Sequence, residues 1–302
     1  MTTDPIKPGS LRAWIAFTRP KTWGVAIAPV LAALSLAIYE TKQLHLEIAF
    51  FTLTIALLMQ IVSNMKNDLG YTEKKAETGN RKGLPRATSQ GWISVDLAKK
   101  AIQFTIGLAL INTLLLVYFG GWFFLLIGVI SVIAAFTYMG GPKPIAYTPF
   151  GELTVMIFFG LTAVCGSYYL QTQTISFNAI LLSISLGAIA SSVLCVNNWR
   201  DREHDKSVGR HTLAVVLGDQ SFLFTFKVLI FIPFILAIVM AFMGNLVPCL
   251  GVLLCLPLCW PLPTQLKTLK HEELNQTMFS CVKYELIYSI VFSIGLLIAL
   301  IG

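Results

Sequence analysis

The chain has 302 residues, of which 56% are hydrophobic and only 12% charged, with a mean hydropathy of +0.74 and a formal net charge of +7. A soluble domain is about one quarter charged, so this composition excludes soluble domains and indicates a helical protein immersed in a bilayer. In a soluble chain the positive charge would suggest nucleic acid; here lysine and arginine retained on one side of a membrane account for it, and no nucleic-acid partner is expected.

Met1 to Ser10 is polar, and no small-residue cleavage site follows a short apolar core, so no signal peptide is expected. Apolar runs close to the roughly 20 residues needed to cross the hydrocarbon then recur along the chain. They predict spans at 22–40, 46–64, 98–118, 121–139, 150–170, 176–197, 221–243, 246–263 and 284–301. The fold class is therefore all-α and polytopic, a single membrane domain over 1–302. Its six cysteines lie mostly in or beside apolar runs, without a Cys-x-x-Cys pair, and read as small apolar residues.

The basic residues fall in alternate loops. Of 22 lysines and arginines, only Lys42 falls on the opposite side when the nine spans are threaded. The positive-inside rule then puts the N-terminus and every long loop in the cytoplasm and the last residue outside. The expected location is the inner (plasma) membrane.

The first long loop opens with Asn64-Met65-Lys66-Asn67-Asp68, where Asn64 and Asp68 are four residues apart at the cytoplasmic end of span 2. The rest of that loop, Glu73 to Trp92, contains Gly79, Gly83 and Pro85 and reads as a partly ordered flap. The same pattern returns after span 6 as Asn197-Asn198-Trp199-Arg200-Asp201, continuing to Asp205. If the helix continues beyond Val196, Asn197, Asp201 and Asp205 stack on one face. Equivalent clusters after the second span of each half predict a tandem repeat, about 12–140 and 141–263, with the ninth helix added.

Carboxylates and amides at a membrane surface suit a hard cation such as Mg²⁺, which is usually held by one or two carboxylates together with substrate phosphate. Arg200, Arg202, Lys206 and Arg210 offer charge for the remaining phosphate oxygens. A diphosphate at such a cage, with its organic part in the apolar bundle, describes a substrate that ionises away from water. The plain alternative is a solvated loop whose charges only fix topology. A tandem-repeat transporter would place polar groups near the bilayer midplane, whereas here the acids gather mostly at one face.

The motifs resemble those of the UbiA superfamily of intramembrane prenyltransferases, and the likeness covers nearly the whole chain. Arg19-Pro20-Lys21-Thr22 through Ala28-Pro29-Val30 is similar to the N-terminal signature. Asn64-x-x-Asn67-Asp68, Arg81-x-Gly83 and Arg86 are similar to the first Asp-rich region. Pro144-x-x-Tyr147, Gly151-Glu152-Leu153 and Gly166-Ser167-Tyr168-Tyr169 resemble the branch that acts on 1,4-dihydroxy-2-naphthoate. So does Asn197-Asn198-x-Arg200-Asp201-x-x-x-Asp205, with Gly209-Arg210-x-Thr212 after it.

The resemblance implies transfer of a polyprenyl chain from its diphosphate to that naphthoate, with loss of diphosphate and CO₂. Homogentisate and 4-hydroxybenzoate are the alternative aromatic acceptors. It further implies that Asp68, Asp201 and Asp205 hold Mg²⁺ and act in catalysis, with Asn64, Asn67, Asn197 and Asn198 beside them. Arg81, Arg86, Lys206 and Arg210 would neutralise the diphosphate, and Tyr147 and Glu152 would lie near the acceptor. Tyr71 stands where the family usually has an aspartate, and its hydroxyl is expected to serve the diphosphate. Tyr168 and Tyr169 read as an aromatic belt at the far face.

Overall fold

The computed structural model describes residues 5–77 and 82–301; Arg81 lies outside them. Among the described residues there is no strand, only helices and the turns between them. Helix α1 (Leu11–Thr18) starts at Ser10, whose hydroxyl accepts from the Ala13 N–H at 3.3 Å, and stops at Arg19 with φ 53°. Its short length and its exposed Leu11 and Ile15 suit a helix lying along the membrane surface.

The long helices follow as α2 (Gly24–Thr41), α3 (Leu46–Glu73), α4 (Val95–Gly120), α5 (Phe123–Met139), α6 (Gly151–Thr172), α7 (Phe177–Ser207), α8 (Gly218–Phe242), α9 (Leu246–Thr268) and α10 (Leu274–Ile301). Among the described residues, eight apolar helices are long enough to cross a membrane, the last of them including the turn from His271. The other, α5, has 17 residues and spans about 25 Å at 1.5 Å per residue.

Helices α3 and α7 are much longer than their apolar runs predict. The expected spans end at 64 and 197, yet hydrogen bonding continues to Glu73 and Ser207. Hydropathy marks where a helix leaves lipid, not where its backbone ladder stops. Both polar clusters are therefore helical and rigidly attached to membrane-embedded shafts. Helix α10 likewise begins at Leu274, before the expected 284.

Helix α7 is the centre of the bundle: 78% of its membrane window is buried, against 56% or less for the others. It packs against α6, α8 and α10, while α10 also runs along α2. Small residues allow these close approaches, as they do in membrane helix pairs generally. At Gly160 a Cβ would sit 2.5 Å from the Ser183 carbonyl oxygen and 2.8 Å from the Gly187 Cα. Around this crossing α6 widens into a π-wound segment, Met156–Cys165.

At the opposite end of the bundle the structure corrects one expectation. Tyr168 is buried, not part of an aromatic belt, and its hydroxyl donates to Glu40. Asn178 donates to the other Glu40 oxygen at 2.8 Å, so α2, α6 and α7 are tied together there. Tyr169 stacks on Phe124 at 5.9 Å between ring centroids. Buried polar groups need partners, and Glu40 supplies one for both the phenol and the amide. Five of the six cysteines are buried and all are free thiols.

Candidate active site

Helices α2, α3, α5, α6 and α7 surround a cavity of about 670 Å³. Along its length it is apolar, with walls that include Val30, Ile55, Met59, Val132, Phe158 and Phe159. Its mouth is polar and basic, formed by Arg19, Lys21, Asn64, Asn67, Asn197 and Arg200. A cavity with charge at one end and hydrocarbon along the rest fits an amphiphile with an anionic head.

The first cluster is built by the end of α3. Gln60 and Asn64 turn their amides onto the preceding 3₁₀ turn: Asn64 donates to the Thr18 carbonyl at 2.9 Å and to the Thr22 hydroxyl at 3.1 Å. Gln60 donates to the same hydroxyl at 3.2 Å. These bonds fix the Arg19–Thr22 segment over the mouth. Asn67 lines the cavity, and its Oδ1 has no hydrogen-bond partner among the described residues.

Asp68 is fully buried and faces the flap. Its carboxylate accepts from the Ala87 N–H at 2.8 Å, the Thr88 N–H at 2.9 Å and the Thr88 hydroxyl at 2.7 Å. Arg19 stands 3.7 Å away. A carboxylate offers about four acceptor directions, so most of this one anchors the loop that carries Arg86. Thr72, one turn further along, bonds the Thr88 and Ser89 hydroxyls at 2.6 and 2.7 Å.

The second cluster is built by the end of α7. Arg200 donates to both oxygens of Asp201, at 3.1 and 2.7 Å, to Asn275 at 2.6 Å and to Asn197. Beyond α7, Gly209 turns the chain with φ 74°, bringing Arg210 back over Asp205. Arg210 then donates to Asp205 at 2.8 Å, to the Ala146 carbonyl at 3.0 Å and to the Tyr71 phenol oxygen. Burial works against the Arg210 charge, but the neighbouring Tyr71 and Asp205 outweigh it, so its pKa rises and it stays cationic.

Tyr71 joins the two clusters. Its ring lies 4.3 Å from the Arg86 guanidinium and 5.3 Å from that of Arg210. His204 reaches the Ala76 carbonyl at 2.8 Å, a second link between the ends of α7 and α3. Tyr147 packs 5.5 Å from Arg210. Burial raises the pKa of the Tyr147 phenol, with Arg210 pulling the other way, so it stays neutral near pH 7.

Glu152, at the start of α6, is buried and accepts from the Asn198 amide at 2.9 Å. Its second oxygen has no hydrogen-bond partner among the described residues. Tyr138, at the end of α5, lines the cavity next to this group.

Asn64, Asn67 and Asn197 thus line the cavity mouth, while adjacent Asn198 turns to Glu152. Arg86 and Arg210 are buried against Tyr71 and are not among the residues lining the cavity. Lys206 and Glu203 are exposed, and Arg202 pairs with Asp219 at 2.6 Å and covers Trp199. Lys206 follows Asp205 by one residue, is rotated about 100° around the helix and so lies on a different face from it. Sequence reasoning gave no role to Arg19, Lys21 or Tyr138. The first two stood inside the quoted N-terminal signature; nothing in the spacing around Tyr138 singles it out.

Among the described residues, no three carboxylate, imidazole or thiol groups converge on a point. The donors at and behind the mouth are carboxylate and amide oxygens, which suit a hard divalent cation. An ion there would draw part of its ligand sphere from substrate phosphate, as Mg²⁺ commonly does.

Residues 26–290 match the UbiA prenyltransferase family. A relative from Haemophilus influenzae, named 1,4-dihydroxy-2-naphthoate octaprenyltransferase, is 36% identical, with 69% of this chain aligned to 70% of that protein. A Bacillus subtilis protein of the same name is 29% identical over 98% of this chain and 96% of its own length. Among solved structures, a UbiA homologue from Aeropyrum pernix K1 superposes with a TM-score of 0.69 at 14% identity, covering 93% of this chain and 98% of the other. One from Archaeoglobus fulgidus, bound to GPP and Mg²⁺, gives 0.64 at 17% identity, covering 93% and 99%.

Proposed function

The chain belongs to the UbiA prenyltransferase family, and from that premise we propose that it transfers a polyprenyl chain from polyprenyl diphosphate to 1,4-dihydroxy-2-naphthoate, releasing diphosphate and CO₂. The observation that carries this reading is the cavity: a mouth of arginine, lysine and amide groups opening into an apolar interior. The naphthoate is taken from the names of the relatives.

The bond between the isoprenoid C1 and the diphosphate oxygen breaks with its electron pair moving to the diphosphate. Arg19, Lys21 and Arg200 at the mouth stabilise that charge, with Arg86 and Arg210 behind them. Charges fixed in place beforehand, out of water, are worth most in such steps. Bound Mg²⁺, held by Asp68, Asp201 and Asp205 with Asn64, Asn67 and Asn197, would supply further neutralisation of the leaving diphosphate.

The allylic cation is kept from water by the apolar walls, and the ring faces of Phe158 and Phe159 tolerate its charge. The acceptor sits beside Tyr138 and Tyr147, with Glu152 and Asn198 adjoining. Its carboxylated ring carbon supplies the electron pair for the new C–C bond. Loss of CO₂ returns a pair to the ring and restores aromaticity, with no net proton gained or lost.

Purified protein in detergent with Mg²⁺, polyprenyl diphosphate and 1,4-dihydroxy-2-naphthoate should give a prenylated naphthoquinol and one CO₂ per product, read by mass spectrometry. A product that keeps its carboxylate would reject the naphthoate as acceptor. Absence of transfer to any aromatic acceptor would reject the whole reading.

The single-sided distribution of 21 of the 22 basic residues further supports nine crossings. The N-terminus and the site then face the cytoplasm of the plasma membrane, in two halves, α2–α5 and α6–α9, followed by α10. At 17 residues, α5 would cross with little tilt where the bilayer thins. Cysteines introduced at the exposed positions Thr174 and Glu203 should react with an impermeant thiol reagent from opposite sides of the membrane. Labelling from one side only would overturn the topology.

A further inference from the structure

The cavity has a defined far end. Along α3 it is lined from Asn67 back to Thr52, and along α6 from Thr154 to Leu170. At 1.5 Å per residue the α3 wall is about 22 Å long. An extended chain advances roughly 1.2 Å per bond, so a five-carbon isoprene unit takes about 5 Å and between four and five units fill the length. Volume gives a similar answer. A cavity of about 150 Å³ accepts benzene, or ~25 Å³ per carbon, so 670 Å³ sets an upper limit of about five units.

At the end stands Phe124, the second residue of α5. Its side chain lines the cavity and is only 7% exposed. The ring rests on the bare backbone of Gly120, where a Cβ would come within 2.4 Å of it. Tyr169 stacks against it at 5.9 Å, and Leu116, Leu170 and Ile48 complete the closure. Each side of the ring is supported, so it stands as a fixed wall at that end of the cavity.

We infer that Phe124 is the floor of the isoprenoid site and sets how many units are enclosed, with four to five held between the diphosphate and the ring. This rests on the prenyl-transfer reading above. A unit that finds room to bury its carbons contributes through burial of apolar surface, and a unit that meets the floor contributes nothing.

The test compares kcat/KM for prenyl diphosphates of two, four and eight units on the full-length protein, with one acceptor in excess. Phe124→Ala should raise the eight-unit to four-unit ratio at least tenfold, the scale expected when about two further carbons become buried. Ala163→Phe, which fills the cavity about two turns before Leu170, should lower the four-unit to two-unit ratio by a similar factor. Should Phe124→Ala lose activity with every substrate, Phe124→Leu shortens the floor more gently and Ala163→Phe still reads the opposite direction. Unchanged length ratios in variants that still turn over the two-unit substrate would overturn the floor, because the chain then leaves the cavity elsewhere. Failure of the wild-type protein to use any prenyl diphosphate would instead overturn the prenyl-transfer reading itself.

Discussion

Asp201→Asn and Asp205→Asn should each lower kcat/KM by about two to three orders of magnitude, the equivalent of roughly 3–4 kcal/mol for one electrostatic contact in a dry site. Both substitutions keep side-chain volume and remove one negative charge. Asp201 and Asp205 each neutralise a buried arginine at 2.7 and 2.8 Å, so their loss also leaves Arg200 or Arg210 under-compensated, a situation costly in any buried ion pair. The expected signature is a fall in turnover with a higher Mg²⁺ requirement in protein that still migrates as wild type on size exclusion.

Asp68→Asn should lose activity for an additional reason. The asparagine NH₂ would face a donor at Ala87 or Thr88, so faster trypsin cleavage after Lys82 or Arg86 should accompany the loss. Tyr71→Phe is the graded comparator: it removes one acceptor from Arg210 and should cost about fivefold, near the ~1 kcal/mol of a single hydrogen bond. Glu203→Gln, on the exposed face of the same helix, should behave as wild type. Equal loss from Glu203→Gln and Asp205→Asn would show that this end of α7 is merely fragile and carries no charge-specific chemistry.

Gly160→Val should prevent stable folding. A Cβ there meets the backbone of α7 at 2.5 and 2.8 Å, and backbone cannot move aside as a flexible side chain can. Overpacking within side-chain cores costs roughly 1–3 kcal/mol. Separating α6 from the central helix should reach or exceed the upper end of that range. Thermal melting of detergent-purified protein reads the effect. Gly107→Ala in α4 is the control, since a Cβ there meets nothing within 4 Å; it should hold or raise the melting temperature, as alanine favours a helix by up to about 1 kcal/mol over glycine. A Gly160→Val protein melting with wild type would disprove the tight crossing.

The sequence by itself determined the membrane setting, the order and type of the helices, and the two polar clusters where α3 and α7 leave the bilayer. These are local properties. Hydropathy averaged along the chain reports depth in the membrane, and spacings of three or four residues report a shared helix face. Asn64, Asn67 and Asn197 were legible on those grounds.

The tertiary structure alone decided which way each helix face points. Helices that are apolar all round carry no stripe to mark their inner side, so rotation about the axis is set by packing against neighbours. That is why Asn197 reaches the cavity while Asn198, one residue on, serves Glu152. It is also why Asp68 meets the loop at Ala87 and Thr88, contacts that no spacing along α3 announces. The parts played by Arg19, Lys21 and Tyr138, and the floor at Phe124, depend on residues brought together from separate helices and turns. A pattern read along one chain segment contains no record of such neighbours, because their positions follow only once the small residues of α2, α6, α7 and α10 have let the bundle close.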